Sequence, residues 1–389
     1  VSTATPSATA TPRATIPPTQ TTSSATATPV IPPSATKILP TVVPSTVPTI
    51  APTATAAVVL PVAFHNDGFT WEPQKWNNCG PANLTQALHY YGWGGTQDQA
   101  AAWLKPNYLA KNVSPWQMRT FVNDKTDLKA VTRVAGDLTL IKRIVYAKLA
   151  VILETGFVVA GEGWMGHYLT VVGWDDSAGI LYGFDTYLGI GSDKLGMREK
   201  YGDLDSRWQQ FNRTYIIIYP KSREADVAAI LGPDGDLTYN AQHALSAART
   251  EAANRQDNQY AWFNIGSSYV LLGDYSKAAL AYDKARSVGG GLPWRFLWYQ
   301  FGSYEAYYNT GNYAQVLADV TTNVNNTTEV VETYYWKAMV EAAQGKKADA
   351  VTDFKAVLTF NPNFQPAADQ LTKVQNGTFA GPVVAQAGK

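Results

Sequence analysis

Cysteine is nearly absent from this 389-residue chain, and charged residues are few. The one cysteine, Cys79, cannot form an internal disulfide framework. Because the four histidines are not clustered with it, we expect no zinc site, no other metal and no cofactor. The 31 basic residues balance 31 acidic ones. The chain therefore has no strong field that would attract nucleic acid or anionic lipid.

Long apolar runs are also missing. No segment approaches the ~20 consecutive apolar residues of a membrane span. The longest candidate, near residues 56–64, is interrupted by Pro61. We therefore expect no membrane-spanning helix.

The first 57 residues lack what a folded core needs. Of the first 50 residues, 37 are Thr, Pro, Ala or Ser, and only Arg13 and Lys37 are charged before Asp67. Such a segment cannot bury enough apolar surface to offset the entropy of ordering it. Its spaced prolines favour an extended spacer. We predict an extended Thr/Pro-rich tail or stalk over residues 1–57, with the composition of O-glycosylated stalks.

Two further features favour an extracellular or cell-surface location. The chain begins with Val1 rather than Met, so we expect a processed chain or a fragment whose signal or anchor is missing. Six sequons would permit N-glycosylation, although a chain rich in Asn and Thr also produces such triplets by chance. The sequons begin at Asn83, Asn112, Asn212, Asn325, Asn326 and Asn376.

Residues 58–220 have the pattern of an α+β domain, in which helices come first and antiparallel strands follow. Asp137 is a candidate N-cap, and residues 174–179 form a hairpin turn between two strands. The helices are predicted at 81–91, 98–104, 115–123 and 138–149. The strands are predicted at 58–64, 151–153, 168–173, 180–185 and 214–219.

After a linker at 221–238 with a short helix at 225–231, residues 239–376 are predicted to be helical, followed by a C-terminal tail at 377–389. Gly273, Gly311 and Gly345 recur at intervals of 38 and 34 residues. The first unit resembles the tetratricopeptide repeat, which implies an all-α repeat domain that binds proteins. The matching residues are Trp262, Gly266, Tyr269, Gly273, Tyr275, Ala278, Tyr282 and Ala285.

The third repeat unit keeps much of the signature, whereas the middle unit is degenerate. We expect a helix at 240–254 before the first unit and a capping helix at 366–375. The many aromatic residues between 294 and 308 are expected to serve mainly in packing, with a ligand-binding surface as the alternative.

Cys79 lies in the segment Gln74-Lys75-Trp76-Asn77-Asn78-Cys79-Gly80-Pro81, one or two residues before a predicted helix. A thiol at a helix N-terminus meets unpaired N–H groups and the positive end of the helix dipole, which favours the thiolate. Upstream polar side chains could donate to an oxyanion. The alternative is a buried, inert cysteine, which the polar and glycine-bearing flanks disfavour.

A cysteine nucleophile needs a base and a group that orients that base. His167 opens a predicted buried strand, directly after the glycine-rich segment 161–166. At ~3.3 Å per residue, Asp175 lies roughly 25 Å along that strand, and Asp176 is in the same turn. Asp185 returns along the hairpin, so we predict that Asp185 orients His167.

These motifs, in this order over residues 74–220, resemble the papain-like cysteine peptidases of the bacteriocin-processing type, and especially their secreted relatives. The resemblance implies that Cys79 is the nucleophile, His167 the general base and acid, and Asp185 its orienting group. It also implies that Gln74 donates to the oxyanion. Gln74 stands five residues before Cys79 where the family usually has six, so Asn77 or Asn78 is the alternative donor.

Three functions are compatible with these features. The first is an extracellular thiol peptidase whose repeats hold a peptide or protein substrate or a partner; the same triad would also serve transpeptidation or deamidation. The second is a structural subunit of a surface filament or assembly that self-associates through its repeats and glycosylated tail. In the third, the repeats bind peptides or glycans and the first domain only recognises chain ends.

Overall fold

A computed structural model describes residues 59–382 of the chain. The predicted tail at 1–57 lies outside the described residues, as do the first residue of the predicted strand 58–64 and residues 383–389 of the predicted C-terminal tail. The described residues belong to one compact unit, in which an α/β half is followed by a helical half.

The helices of the α/β half begin where short polar side chains can cap them. Thr96 forms a capping box with Gln99 at the start of α2, and Asp137 accepts a hydrogen bond from the backbone N–H of Leu140 at the start of α4. The first four helices are α1 (Cys79–His89), α2 (Gln97–Leu104), α3 (Pro115–Lys125) and α4 (Leu138–Tyr146). All four were predicted, and α1 begins two residues earlier than expected.

The strands form one antiparallel sheet in the described part of the chain, with the order β2-β7-β3-β4-β5-β6 and β1 paired to β4. Val151 pairs with Val171 at the centre, where both faces of the sheet are buried. The strands are β1 (Ala63–His65), β2 (Leu128–Arg133), β3 (Ala150–Val159), β4 (Gly163–Asp175), β5 (Ile180–Phe184), β6 (Met197–Lys200) and β7 (Tyr215–Pro220).

Helices cover both faces of this sheet. Side chains of α1, α2 and α3, such as Leu84 and Met118, pack on the face that presents Ile152. Helix α4 packs on the opposite face together with α5 (Tyr201–Gln209) and α6 (Glu224–Leu231). Because successive strand residues point to opposite faces, Ile152 and Val151 belong to different cores.

Three elements of the α/β half were not predicted: β2, β6 and α5. Strand β6 has the sequence Met-Arg-Glu-Lys and lies at the sheet edge, where charged side chains reach water. Strand β2 (Leu-Lys-Ala-Val-Thr-Arg) is the other edge strand and is mostly half-buried. Neither has the apolar run by which the central strands were recognised.

The helical half is a series of antiparallel helix pairs. Gly273, Gly311 and Gly345, which revealed the repeat, each follow a helix with a positive φ of 74–76° that favours glycine. Its helices are α7 (Leu237–Asn254), α8 (Gln259–Leu271), α9 (Tyr275–Ser287), α10 (Gly302–Asn309), α11 (Tyr313–Asn326), α12 (Val331–Ala343), α13 (Lys347–Phe360) and α14 (Gln365–Asn376).

Close helix crossing in the first pair depends on Gly266. A Cβ atom at this position would lie 2.6 Å from the ring of Tyr282, so only glycine lets α8 and α9 approach this closely. The aromatic side chains between residues 294 and 308 are largely buried, which confirms packing as their main role. Phe301 is half-buried, and Trp294 is 40% exposed. No helix among residues 59–382 is both long and apolar enough to cross a membrane.

Asparagine side chains join the two halves by hydrogen bonds to main-chain carbonyl oxygens. Arg213 adds an ionic link, since it contacts Asp205 in α5 and Glu251 in α7 at 2.6 and 2.5 Å. The asparagine pairs are Asn240 with Val134, Asn264 with Gln209 and Asn361 with Leu104, at 2.9, 2.7 and 3.0 Å. The side of the repeats formed by α8, α10 and α12 faces the α/β half.

Candidate active site

Cys79 is the first residue of α1, rather than lying one or two residues before a helix. The carbonyl of Asn78 accepts from the N–H of Ala82 at 2.8 Å, and Pro81 has no N–H to donate. Among the described residues, the N–H groups of Cys79 and Gly80 have no acceptor outside the helix. The sulfur therefore lies at a helix end whose first N–H groups are available to a substrate carbonyl.

His167 and Asp185 meet across the sheet, as the hairpin geometry predicts. His167 lies in β4 and Asp185 directly follows β5, which pairs with β4. The distance from His167 Nε2 to Asp185 Oδ1 is 3.0 Å, and the side chains are 5% and 3% exposed. The N–H groups of Tyr187 and Leu188 donate to the same oxygen at 2.7 Å. The structure therefore holds the carboxylate in place from its own turn.

His167 and Asp185 each stabilise the charged form of the other. Burial by itself would lower the pKa of His167, but the Asp185 carboxylate and the Cys79 sulfur favour the protonated ring and raise its pKa to about 10. Burial by itself would raise the pKa of Asp185, but the imidazolium and the two backbone N–H groups lower it. Since Nε2 faces Asp185, Nδ1 is the ring nitrogen left to exchange a proton with Cys79.

Gln74 lies beside the group that orients His167. The hydroxyl of Thr186 donates to Gln74 Oε1 at 2.9 Å, and the Gln74 N–H donates to the Thr186 carbonyl at 2.8 Å. Gln74 Nε2 has no hydrogen-bond acceptor within residues 59–382 and remains available as a donor. The alternative donors are engaged elsewhere, since Asn77 Nδ2 donates to Leu109 O and Asn78 Nδ2 to Gln97 Oε1, both at 3.3 Å.

The other three histidines have partners away from Cys79. His65 contacts Asp67 and the Leu195 carbonyl, and His243 contacts Asp234. His89 contacts the Gly95 carbonyl at 2.7 Å from the far end of α1. Among the described residues, His167 is therefore the histidine placed to act on Cys79.

Two of the six sequon asparagines are structural. Asn83 is fully buried, and its Nδ2 donates to the carbonyls of Cys79 and Tyr168 at 2.9 Å. Asn212 is 8% exposed, and its Nδ2 donates to Ser268 in the helical half. A glycan would have to replace these contacts, so neither site is open to one in the folded chain. The sequons at Asn112, Asn325, Asn326 and Asn376 stay predictions.

Lys105, at the end of α2, holds the loop before Cys79 and was missed in the sequence. Its ammonium donates to the carbonyls of Trp76, Asn77 and Tyr108 at 3.1–3.3 Å. Burial lowers its pKa to about 8, although the nearby Cys79 sulfur opposes that shift. Asn77, in this loop, has a positive φ of 53°. A lysine 26 positions after the cysteine carries no local signal of this role.

Replacing Lys105 with methionine is expected to loosen the Cys79 loop, because three charge-assisted hydrogen bonds disappear. The free energy of unfolding should fall by about 2 kcal/mol, and alkylation of Cys79 should slow. Urea unfolding and iodoacetamide labelling measure the two effects. Lys111→Met is the matched control, since Lys111 lies near enough to affect the pKa of Lys105 but its Nζ contacts no carbonyl among the described residues. Equal effects of both substitutions would contradict the positioning role.

A family comparison supports the repeats predicted in the helical half. A tetratricopeptide-repeat family model matches residues 260–286 and 331–364, which are the α8–α9 and α12–α13 pairs. This confirms the predicted repeats in the first and third units. No curated protein matches the sequence significantly. A solved structure described as a C39-like peptidase from Bacillus anthracis is similar over 40% of this chain and 96% of its own, with 14% identity and a TM-score of 0.32.

Proposed function

We propose that the α/β half is a cysteine peptidase that uses Cys79, His167 and Asp185. The observation that carries this proposal is the buried His167–Asp185 pair at 3.0 Å, which lies near enough to the sulfur at the start of α1 for that sulfur to help raise the pKa of His167. A base oriented by a carboxylate, next to a thiol at a helix N-terminus, is the arrangement that activates a nucleophilic cysteine.

The proposed reaction has two steps. The Cys79 thiolate attacks a peptide carbonyl to form a C–S bond, and the C–N bond breaks as protonated His167 gives its proton to the leaving amine. Neutral His167 then takes a proton from water, which attacks the thioester and releases the acid and the thiolate. The Cys79 N–H and Gln74 Nε2 would donate to the oxyanion in both steps.

The helical half is proposed to bind a protein partner or the substrate, as tetratricopeptide repeats do. Its side formed by α8, α10 and α12 faces the α/β half of the same chain, so a partner must use either the opposite side or the space left between the halves. The extracellular or surface location remains part of the proposal and depends on the Thr/Pro-rich composition of residues 1–57.

The test is digestion of a peptide library by the purified chain under reducing conditions, compared with Cys79→Ala. Cleavage is expected for the native chain and should fall at least about 10³-fold in the variant, because the nucleophile is lost. Equal cleavage by both proteins, or none by the native chain, would contradict the proposal. Filaments in electron micrographs together with no cleavage would favour the structural-subunit alternative.

A further inference from the structure

A cavity of about 850 Å³ lies between the two halves. Strands β2 and β3 and helix α3 contribute one wall, and α8, α10 and α12 contribute the other. Two lining residues, Leu237 and Leu271, are 64% and 58% exposed, so the cavity opens to solvent beside them. Its volume lies within the range of about 300–1,000 Å³ that is typical of ligand sites.

Three carboxyl groups line this cavity, from Glu154, Glu305 and Glu332, and none forms a salt bridge with another described residue. Burial raises the pKa of each, for Glu332 to about 7. One hydroxyl donates a hydrogen bond to Oε1 of each glutamate, at 3.1–3.4 Å. The donors are Tyr168, Tyr275 and Ser114, respectively.

Glu154 is the most informative of the three. Its side chain is almost fully buried at 3% residue exposure, yet Oε2 has no hydrogen-bond partner among the described residues, and the residue lines the cavity. A buried polar atom without a partner is costly, and a ligand could satisfy it.

Two arginines line the same cavity but do not neutralise these carboxyls. Arg133 donates to the carbonyls of Asp234 and Gly235 at 2.8 and 2.5 Å. Neither Arg133 nor Arg119 forms a salt bridge with Glu154, Glu305 or Glu332 within residues 59–382. The carboxyls therefore lack a cation of their own.

The remaining lining is rich in aromatic rings, which attract cations and pack against methylene chains. Trp336 is 8% exposed and lies beside Glu332 and Tyr335 in α12. Trp116 of α3 lines the opposite wall. Carboxyl groups and aromatic rings in one cavity match a ligand that has an apolar stem and a cationic end.

We propose that this cavity binds an organic cation, an ammonium or guanidinium group on an apolar stem, such as the side chain of Lys or Arg in a peptide. Glu154, Glu305 and Glu332 supply oxygen acceptors, and the rings of Tyr335 and Trp336 contact the stem. The site does not require the triad to be active.

The probe is a fluorescent pentapeptide, Ala-Phe-Lys-Phe-Ala, whose binding to the full Cys79→Ala chain is followed by anisotropy so that cleavage cannot interfere. Replacing the lysine with norleucine, which keeps the stem and removes the charge, should weaken binding at least tenfold. Competition by cadaverine distinguishes a free amine from a lysine side chain in a peptide. If cadaverine displaces the lysine peptide at a concentration similar to that of the peptide, the site binds free amines. If displacement needs a far higher concentration, the site binds peptides.

Glu305→Gln and Glu332→Gln, added to the Cys79→Ala chain, should each weaken binding of the lysine peptide about tenfold and leave binding of the norleucine peptide unchanged. Asp349→Asn is the control, because Asp349 is exposed on α13 and forms no salt bridge with another described residue. Circular dichroism shows whether each variant folds. The comparison of the lysine and norleucine peptides uses the Cys79→Ala chain without any substitution in the cavity, so it tests the proposal even if a Gln variant fails to fold. Equal binding of the lysine and norleucine peptides would overturn the proposal, as would unchanged affinity in both Gln variants.

Discussion

Alkylation of Cys79 by iodoacetamide at pH 6 is expected to slow about 10- to 100-fold when His167 is replaced with alanine. An ordinary thiol with a pKa of about 8.5 is less than ~1% ionised at this pH. With a pKa of about 10, His167 keeps its proton at pH 6 and would stabilise the thiolate that the proposed peptidase requires. Because the chain has one cysteine, the labelled fraction reports on Cys79 alone.

Asp185→Asn extends this experiment to pH dependence. Removing the carboxylate charge lowers the pKa of His167, so the labelling profile of the variant should move to higher pH, towards that of an ordinary thiol. His89→Ala is the control, since His89 lies in the same helix as Cys79 but contacts the Gly95 carbonyl. Identical profiles for the native chain and His167→Ala would remove the case for an ion pair.

Tyr299→Ala should destabilise the protein and also reduce peptide cleavage, because Tyr299 connects the helical half to the residue before His167. Its ring is 8% exposed and packs so closely on Gly166 that a Cβ there would lie 2.8 Å from the ring. It also contacts Trp164 and Phe211. Truncation of a buried aromatic ring costs about 3–5 kcal/mol. Urea unfolding and kcat/KM for a cleaved peptide measure the two effects.

Tyr299→Phe is expected to restore most of both properties, since it restores the ring. Trp294→Ala, in the 3₁₀ turn that ends just before Tyr299, should change them much less because Trp294 is 40% exposed. If Tyr299→Ala lowers stability and leaves kcat/KM unchanged, the segment around His167 does not depend on the helical half.

Local patterns explain why much of this fold could be predicted. The predicted helices 98–104 and 115–123 correspond to α2 and α3 to within two residues, since their caps and apolar spacing are short-range signals. Gly273 and Gly345 marked repeats that the family model also matches. The proximity of His167 and Asp185 followed from strand rise and hairpin direction, which depend only on the turn between them.

Long-range contacts explain what could not be predicted. Lys105 meets Trp76 and Asn77 across more than 25 residues, and no periodicity encodes such a contact. Glu154 of β3 lines the cavity together with residues of α10 and α12, which lie more than 140 positions later in the sequence. In the sequence, Glu154 is a charged residue at the end of an apolar run, and burial could not be inferred.

The hydrogen bonds from Asn361 and Asn363 to the carbonyls of Leu104 and Trp103 span 257 and 260 residues. These carbonyls end α2, next to Lys105. During translation, the α/β half therefore leaves the ribosome with this helix end unpaired, and its partners emerge only with the last helices. A ribosome that stops before residue 361 would release a chain without these bonds at the end of α2, next to the lysine that contacts the loop before Cys79.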